Sequence, residues 1–446
     1  MELDTATEAT ADAPARFPAA ATHAPVYIRG IPLRAAKDFL GGTHRCVPPE
    51  VTLERIRPHL ATAGITRLAD ITGLDRIGVS TIVAYRPNGK TLSSAAGKGF
   101  SEVAAQVSAA MEGIELHHAE NPRLEVRHAT YHEMAATENV VAPELLPVAK
   151  HSAYSPSRPE HWVRGWDLMG QREVAYPFNS VAMVKHPGQR PIHSVPFVLD
   201  SNGLASGNHI LEAITAALLE VIERDAVTCH LLAGHRLGYR MPRVELDGLE
   251  YPLVLELLER FRRSEVAVLL YDCTLDTAVP VYLAYVYDLQ TRGVGLGGGF
   301  GAHLDPEVAM IRAMTEAVQS RAVYIAGARD DVFRHDEHYF KNMDSARTIA
   351  DLLAAPATVH PHAHPSHATD SFEGDIAVLL GKLRAVGIDQ ALVFDLSHEE
   401  VGIPVVRVSV PALEGYTSRL YRAGPRANAF CAALAAGSTS TAGAGA

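Results

Sequence analysis

"AALLEVIERDAV", residues 216–227, decides the reading of this chain. Apolar residues recur at the three-to-four spacing that buries one side of a helix, yet Glu220 and Glu223 stand three apart beside Arg224 and Asp225. Extended backward, "NHILEAITAALLEVIERD" keeps the period and predicts a helix over 208–233. Each helical residue turns about 100°, so with Glu212 at zero, Glu223 falls at about 20° and Glu220 at about 80°. Three carboxylates thus share one arc, while Ile210, Ile214, Leu218, Val221 and Ile222 supply the apolar surface that seats the helix.

Two further helices carry the same mixture. Over 101–120, "SEVAAQVSAAMEGIELHHAE" places Ser108, Glu112 and Glu115 within about 60° of one another. Over 304–328, Glu316 and Gln319 lie one turn apart, with Arg312 and Arg321 nearby. Taken singly, such acids suit a solvated face with ordinary ion pairs to Arg224, Arg312 or Lys98. Their neighbours, however, are Ala, Met, Leu, Ile and Val, and lysines are scarce on the acidic arcs. If the arcs converge, the clustered charge needs neutralising; magnesium, which takes few carboxylates and completes its shell with water and phosphate oxygens, suits a polyphosphate site.

The rest of the composition sets bounds. The 446 residues, 47% hydrophobic, can bury a substantial core, and the formal charge of −11 without a Lys/Arg run argues against a nucleic-acid partner. Cys46, Cys229, Cys273 and Cys431 are scattered without a CxxC pair, which fits a reducing compartment. With no segment of transmembrane length and no signal-peptide core, the reading is a soluble, cytoplasmic protein without a membrane role. Residues 1–25, rich in Ala, Thr and Pro, and 431–446, ending "GSTSTAGAGA", read as tails around one domain over 26–430. "AAPATVHPHAHPSHATD" (354–370) spaces His360, His362, His364 and His367 among prolines and reads as a solvated loop, with metal binding as the alternative.

Three segments resemble one another: "DITGLDRIGVSTIVAYRP" (70–87), "DCTLDTAVPVYLAYVYD" (272–288) and "DLSHEEVGIPVVRVSVP" (395–411). Each starts with Asp, reaches Ser or Thr two residues later and ends in a β-branched run, which predicts a turn capping one strand and leading into another. With helices at 101–120, 208–233, 304–328 and 373–386, the expected class is α+β: related sheet units backed by helices.

Familiar phosphate motifs fail. Gly97-Lys98-Gly99 precedes a helix, but residue 92 is Leu and residue 99 is Gly where a P-loop needs Gly and Ser/Thr; Lys98 and the helix start remain able to meet a phosphate. "GVGLGG" (293–298) fits a dinucleotide fingerprint in spacing only, since "QTRG" before it reads as a hairpin turn and the helix starts near Asp305. Its glycines read instead as a place where backbone runs close to a ligand or a strand.

"SAAMEGIE", "NGLASGNHILEAITAALLEVIERDA" and "RAMTEAVQSR", in that order and at suitable separations, resemble the YcaO family over about residues 43–426. The resemblance implies an ATP-dependent enzyme that activates a peptide backbone amide, with an acidic ATP and magnesium cleft between helices and no P-loop. It implies Glu112, Glu115, Glu212, Glu220 and Glu223 as the metal and phosphate shell, and Lys98, Ser108, Asn208, Arg224, Glu316 and Gln319 as residues that contact nucleotide or order that shell. In the implied reaction a nucleophile adds to the amide carbonyl, ATP phosphorylates the resulting oxygen, and phosphate leaves. A Cys, Ser or Thr side chain then gives an azoline, sulfide a thioamide and an amine an amidine. The chain end lacks the proline-rich motif usual in azoline-forming relatives, while "MEGIELHHAE" and "EAVQSRAVYIAGARDD" resemble members that form thioamides with a TfuA partner. The expectation is therefore thioamide installation on a ribosomally made precursor peptide, with a TfuA-type protein and a sulfide source. Homodimerisation is common among proteins that resemble this one. From another class, a non-catalytic ATP-binding accessory subunit remains the alternative.

Overall fold

The computed structural model describes residues 23–184, 196–288, 290, 296–327, 352, 356–415 and 421–442. Along the chain run strands β1 (Val26–Ile28) and β2 (Ile31–Leu33), helix α1 (Pro49–Ile56), β3 (Arg67–Asp70), β4 (Ser80–Tyr85), β5 (Ser94–Gly99) and α2 (Glu102–Glu120). There follow β6 (Arg127–Ala129), α3 (Tyr131–Ala135), β7 (Glu160–Asp167), β8 (Arg172–Pro177), β9 (Leu204–Ser206) and α4 (Ile210–Leu237). Next come β10 (Arg243–Val244), α5 (Pro252–Arg263), β11 (Val266–Asp272), β12 (Val281–Asp288), β13 (Gly297–Ala302) and α6 (Pro306–Ala326). The chain closes with β14 (Ala357–Val359), α7 (Phe372–Ala385), β15 (Leu392–Asp395), β16 (Val405–Ser409) and α8 (Pro425–Ala442).

The three look-alike segments form the same structure three times. Asp70, Asp272 and Asp395 end their strands, and the Oδ1 of each accepts from the backbone N–H two residues on, at Thr72 (2.8 Å), Thr274 (2.9 Å) and Ser397 (2.9 Å). Each of those hydroxyls in turn accepts from the start of the next strand: Thr72 from Thr81 N–H (2.9 Å), Thr274 from Val281 (3.1 Å) and Ser397 from Val405 (3.1 Å). A short polar side chain bonding backbone two residues away forces the turn locally, so the sequence pattern alone suffices to make it.

Each turn joins two strands of an antiparallel triplet: β3-β4-β5, β11-β12-β13 and β15-β16-β9. The third strand of every triplet runs directly into a long helix, giving β5 to α2, β13 to α6 and β9 to α4. In the last unit the strand and helix precede the hairpin in the chain, so the sequence repeat hides a permuted copy. Ser101, Asp305 and His209 cap the three helices by accepting from Ala104, Glu307 and Leu211 N–H.

Glycines set how closely helix and sheet approach. A Cβ on Gly97 would stand 2.1 Å from Ala109 N, and one on Gly299 2.2 Å from Ala317 N, so α2 and α6 rest directly on strand backbone. The "GVGLGG" glycines that are described, Gly297 and Gly298, belong to β13 and no helix starts at them; residues 293–295 lie outside the described residues. Cores on either side are built from α2 with β7 and β8, from α4 with β16 and α7, and from α5 and α6 with β12.

Two expectations give way. Residues 431–442, read as tail, continue α8, where "ANAFCAALAA" has high helix propensity and buries Ala427 and Cys431; residues 1–22 and 443–446 lie outside the described residues. The His-rich stretch contains β14, which pairs in parallel with β10, and His364 Nε2 meets Asp272 Oδ2 at 2.7 Å, so it is only partly loop.

Candidate nucleotide and metal site

All eleven residues singled out in the sequence line one open cavity of about 1480 Å³ bounded by α2, α4 and α6. The solvated-face reading fails for α4, whose Glu212 and Glu223 are each 2% exposed.

Buried carboxylates need partners, and these find backbone N–H groups, two of them on neighbouring units. Glu115 of α2 accepts from Ser206 N–H (2.8 Å) and Oγ–H (2.6 Å) on β9. Glu223 of α4 accepts from Ala302 N–H on β13 at 2.9 Å. Glu316 of α6 accepts from Lys98 Nζ on β5 at 3.0 Å and from Phe300 N–H at 3.3 Å. Each helix therefore grips the helix-bearing strand of another unit, in cyclic order, through an acid that also faces the cavity.

Glu220 accepts from Gly203 N–H (3.4 Å). Glu212, at the start of α4, accepts from Cys46 N–H (2.9 Å) and Asn208 Nδ2 (3.3 Å), with Arg45 Nε 3.8 Å away. Asn208 Oδ1 receives Thr52 Oγ–H at 3.0 Å. Arg224 lies 5.5 Å over the Phe300 ring and 3.7 Å from Glu223. Gln319 donates to Ala96 O at 2.6 Å, and its buried Oε1 has no hydrogen-bond partner. Ser108 and Glu112 complete the wall on α2. Arg45, Thr52 and Ser206 were not picked out from sequence; Ser206 stands inside "NGLASGNH", where a hydroxyl two residues before Asn208 was the available signal.

The charges are unevenly matched. Burial would raise Glu316, but Lys98 and Arg224 hold it below its ordinary value. Burial pushes Glu115 up to about 8, with the like charges of Glu112 and Glu220 adding to it against the Ser206 bonds. Burial likewise lifts Glu220 to about 7, Arg224 opposing and Glu223 assisting. Acids pressed toward protonation beside like charges are what a divalent cation relieves, so the donor set fits magnesium, all oxygen, shared between helices. Lys98, Arg224 and Arg312 line the same cavity from β5, α4 and α6 and would offer cationic groups to an anion.

A family model described as YcaO cyclodehydratase, ATP- and Mg2+-binding, matches residues 96–414. The chain belongs to the YcaO family. ATP and Mg2+ are accordingly its cofactors, and the acidic cavity offers the donor types they require. A Rhizobium leguminosarum bv. trifolii protein named for its place in the tfuA 3′ region is 34% identical over 378 residues, covering 83% of this chain and 88% of its own. Among solved structures, a heterocyclase in complex with substrate and cofactor superposes with a TM-score of 0.71 at 22% identity, covering 89% of this chain, which spans 55% of that one. The Methanopyrus kandleri YcaO bound with AMPPCP and Mg2+ superposes with a TM-score of 0.66 at 23% identity, covering 87% of this chain and 100% of its own. These two likenesses establish the YcaO fold with its mixed helices and sheets. Among the described residues no helix is long and apolar enough to cross a membrane.

Proposed function

We propose that this YcaO protein spends ATP on activating a backbone amide of a ribosomally made precursor peptide, and that with a TfuA-type partner it exchanges the amide oxygen for sulfur. The observation that carries the chemistry is the convergence of acids from α2, α4 and α6 on one cavity. The thioamide product is supported by the relative from the tfuA 3′ region.

In this reading hydrosulfide adds to the amide carbon, forming a C–S bond and leaving the charge on oxygen. That oxygen attacks the γ-phosphorus as the bond to ADP breaks. The C–O bond then breaks, phosphate departs carrying the former amide oxygen and the hydrosulfide hydrogen, and the thioamide remains. Bound Mg2+ supplies neutralisation of the phosphoryl charge through Glu112, Glu115, Glu220 and Glu223, with Glu212 at the far end of the α4 arc. Lys98 and Arg224, anchored by Glu316 and Phe300, hold the terminal phosphate. Asn208, Ser108 and Gln319 orient nucleotide and acids, Gln319 through the acceptor it leaves unpaired.

The test is purified protein with precursor peptide, sulfide, MgATP and a TfuA-type protein. Phosphate release together with a peptide mass gain equal to sulfur replacing oxygen is expected. The word cyclodehydratase in the family description favours a second reading, azoline formation by a Cys, Ser or Thr side chain, which would instead show loss of water. ATP binding without turnover under any of these conditions would leave the accessory-subunit reading in its place.

A further inference from the structure

A second cavity, of about 500 Å³, lies against the first, and Asp200 and Asn202 line both. Its size falls within the range of small-ligand sites. The partition is a tight turn. Asn202 N–H donates to Asp200 Oδ1 at 3.0 Å, Leu204 N–H to Ser201 O at 2.9 Å, and Gly203 N–H to Glu220 at 3.4 Å. Gly203 has φ +78°, and a Cβ there would stand 2.2 Å from Val408 O, so the turn is pressed onto β16. Behind it Arg407, 3% exposed, donates to Asp200 O at 2.8 Å and Oδ1 at 2.6 Å. On its other side the turn meets Glu220 of the first cavity, and Asp200 and Asn202 stand at the boundary of both.

The lining of the second cavity selects its occupant. Leu146, Pro147, Val148, Val221, Val410 and Leu413 make most of its wall apolar. The charged groups within it are already paired: Asp200 with Arg407, and Glu414 as acceptor from Tyr421 Oη–H (2.6 Å), Gly424 N–H (2.9 Å) and Ala427 N–H (2.9 Å). Glu144 and Arg422 stand exposed at its rim. A charged segment would therefore lose its water without gaining a partner, whereas a neutral apolar one gains by burial. One polar group in the partition is unspent: Asn202 Oδ1 is buried with no hydrogen-bond partner. A turn about the soft terminal torsion of asparagine would present its amide, both donor and acceptor, to a peptide backbone.

We propose that this second chamber receives an uncharged, extended segment of the peptide substrate, so that its target amide meets the terminal phosphate at the Asp200–Gly203 turn. The inference rests on the amide-activating function proposed above, and it assigns Asn202 to hold the backbone of the segment. Peptide and nucleotide then enter from opposite sides of one turn, and neither blocks the other.

The test uses the full chain, MgADP, and two defined probes: the neutral capped tetrapeptide acetyl-Ala-Val-Gly-Leu-amide and its acidic counterpart acetyl-Glu-Glu-Gly-Glu-amide. Saturation-transfer NMR reads contact of each probe with the protein. Transfer to the neutral probe is expected with and without MgADP, together with little transfer to the acidic one. Ala412→Trp, which fills the chamber, is expected to abolish the transfer while MgADP affinity stays within twofold of the parent, a result that also certifies folding. Asn202→Leu is expected to weaken it severalfold. Displacement of the probe by MgADP, or equal transfer to the parent and to Ala412→Trp, would overturn the assignment. Retained MgADP binding in that case would leave the nucleotide site and the amide-activation reading standing.

Discussion

Glu223 Oε2 accepts the backbone N–H of Ala302 at 2.9 Å, so a side chain that lines the acidic cavity also holds an edge strand of a different unit. Site and scaffold share this atom, and variants of Glu223 separate the two roles. Glu223→Gln keeps an oxygen able to accept from Ala302 and removes the charge; the fold should persist while ATP turnover falls about 100-fold or more, in line with losing a buried charged group at a phosphoryl-transfer site. Glu223→Ala leaves the buried N–H unpaired and should in addition cost about 1–3 kcal/mol of stability. Steady-state phosphate release and chemical denaturation of both variants check this. Equal stability of the two would remove the structural half of the role.

Gly299 determines how close α6 lies to its sheet. A methyl group there would stand 2.2 Å from Ala317 N and 2.5 Å from Ala313 O. Gly299→Ala should therefore lift the helix that carries Glu316 and Gln319, costing about 1–3 kcal/mol or more and weakening nucleotide binding. At the adjacent Gly298 the nearest atom is Tyr285 Cε1 at 3.2 Å, a ring that can shift. Gly298→Ala should change stability by no more than about 0.5 kcal/mol. Thermal unfolding of the pair measures the contrast.

The repeated turn predicts its own variant. Thr274 Oγ1 is the acceptor for Val281 N–H, at the fully buried start of β12. Thr274→Val keeps the shape and removes the acceptor, so stability should fall by about 1–3 kcal/mol. Because the turn lies outside the cavity, MgADP affinity at low temperature should be unchanged, as titration calorimetry would show.

Without metal or nucleotide, burial and neighbouring acids hold Glu115 up to about 8 and Glu220 up to about 7, against an ordinary 4.5. Each of these two acids then keeps its proton in the folded chain over a range where it is ionised in the unfolded one. Their contribution to stability should fall as pH rises from 4.5 to 8 and level off above, against the opposite slope of buried histidines such as His118 and His230, which burial lowers to about 4. Mg2+ with ADP should reverse the trend, stabilising more at the alkaline end and releasing protons on binding. The difference in melting curves between the parent and the double variant Glu115→Gln, Glu220→Gln across this range, and calorimetry in buffers of different ionisation enthalpy, test it; the same pH dependence in parent and variant would contradict it.

Much of this was legible in the residues. The helix period marked α2, α4, α6 and α7 to within a few residues, because long amphipathic segments carry their pattern locally. Asp-x-Ser/Thr marked three turns because the bonds that form them span two residues. The acids were visible as a face on each helix; what joined the faces was not, since Ser206, Ala302 and Cys46 meet Glu115, Glu223 and Glu212 across 91, 79 and 166 residues. The permuted unit was hidden for the same reason: β9 and α4 lie far along the chain from the hairpin of β15 and β16 that they join. At the chain end the small residues of 431–442 suggested a tail, whereas an alanine-rich run needs only one buried stripe, through Ala427 and Cys431, to hold as a helix.

By the function proposed above, the carboxylates of α2 and α4 hold divalent ions against a nucleotide. Crystals grown with Mn2+ and a non-hydrolysable ATP analogue test it directly through the anomalous signal of manganese. Manganese peaks are expected at oxygen-ligand distance, about 2.1–2.2 Å, from carboxylates among Glu112, Glu115, Glu220 and Glu223, with phosphate oxygens between the ions and Lys98 and Arg224 on the terminal phosphate. Nucleotide and manganese bound elsewhere, with these glutamates touching only protein, would contradict it.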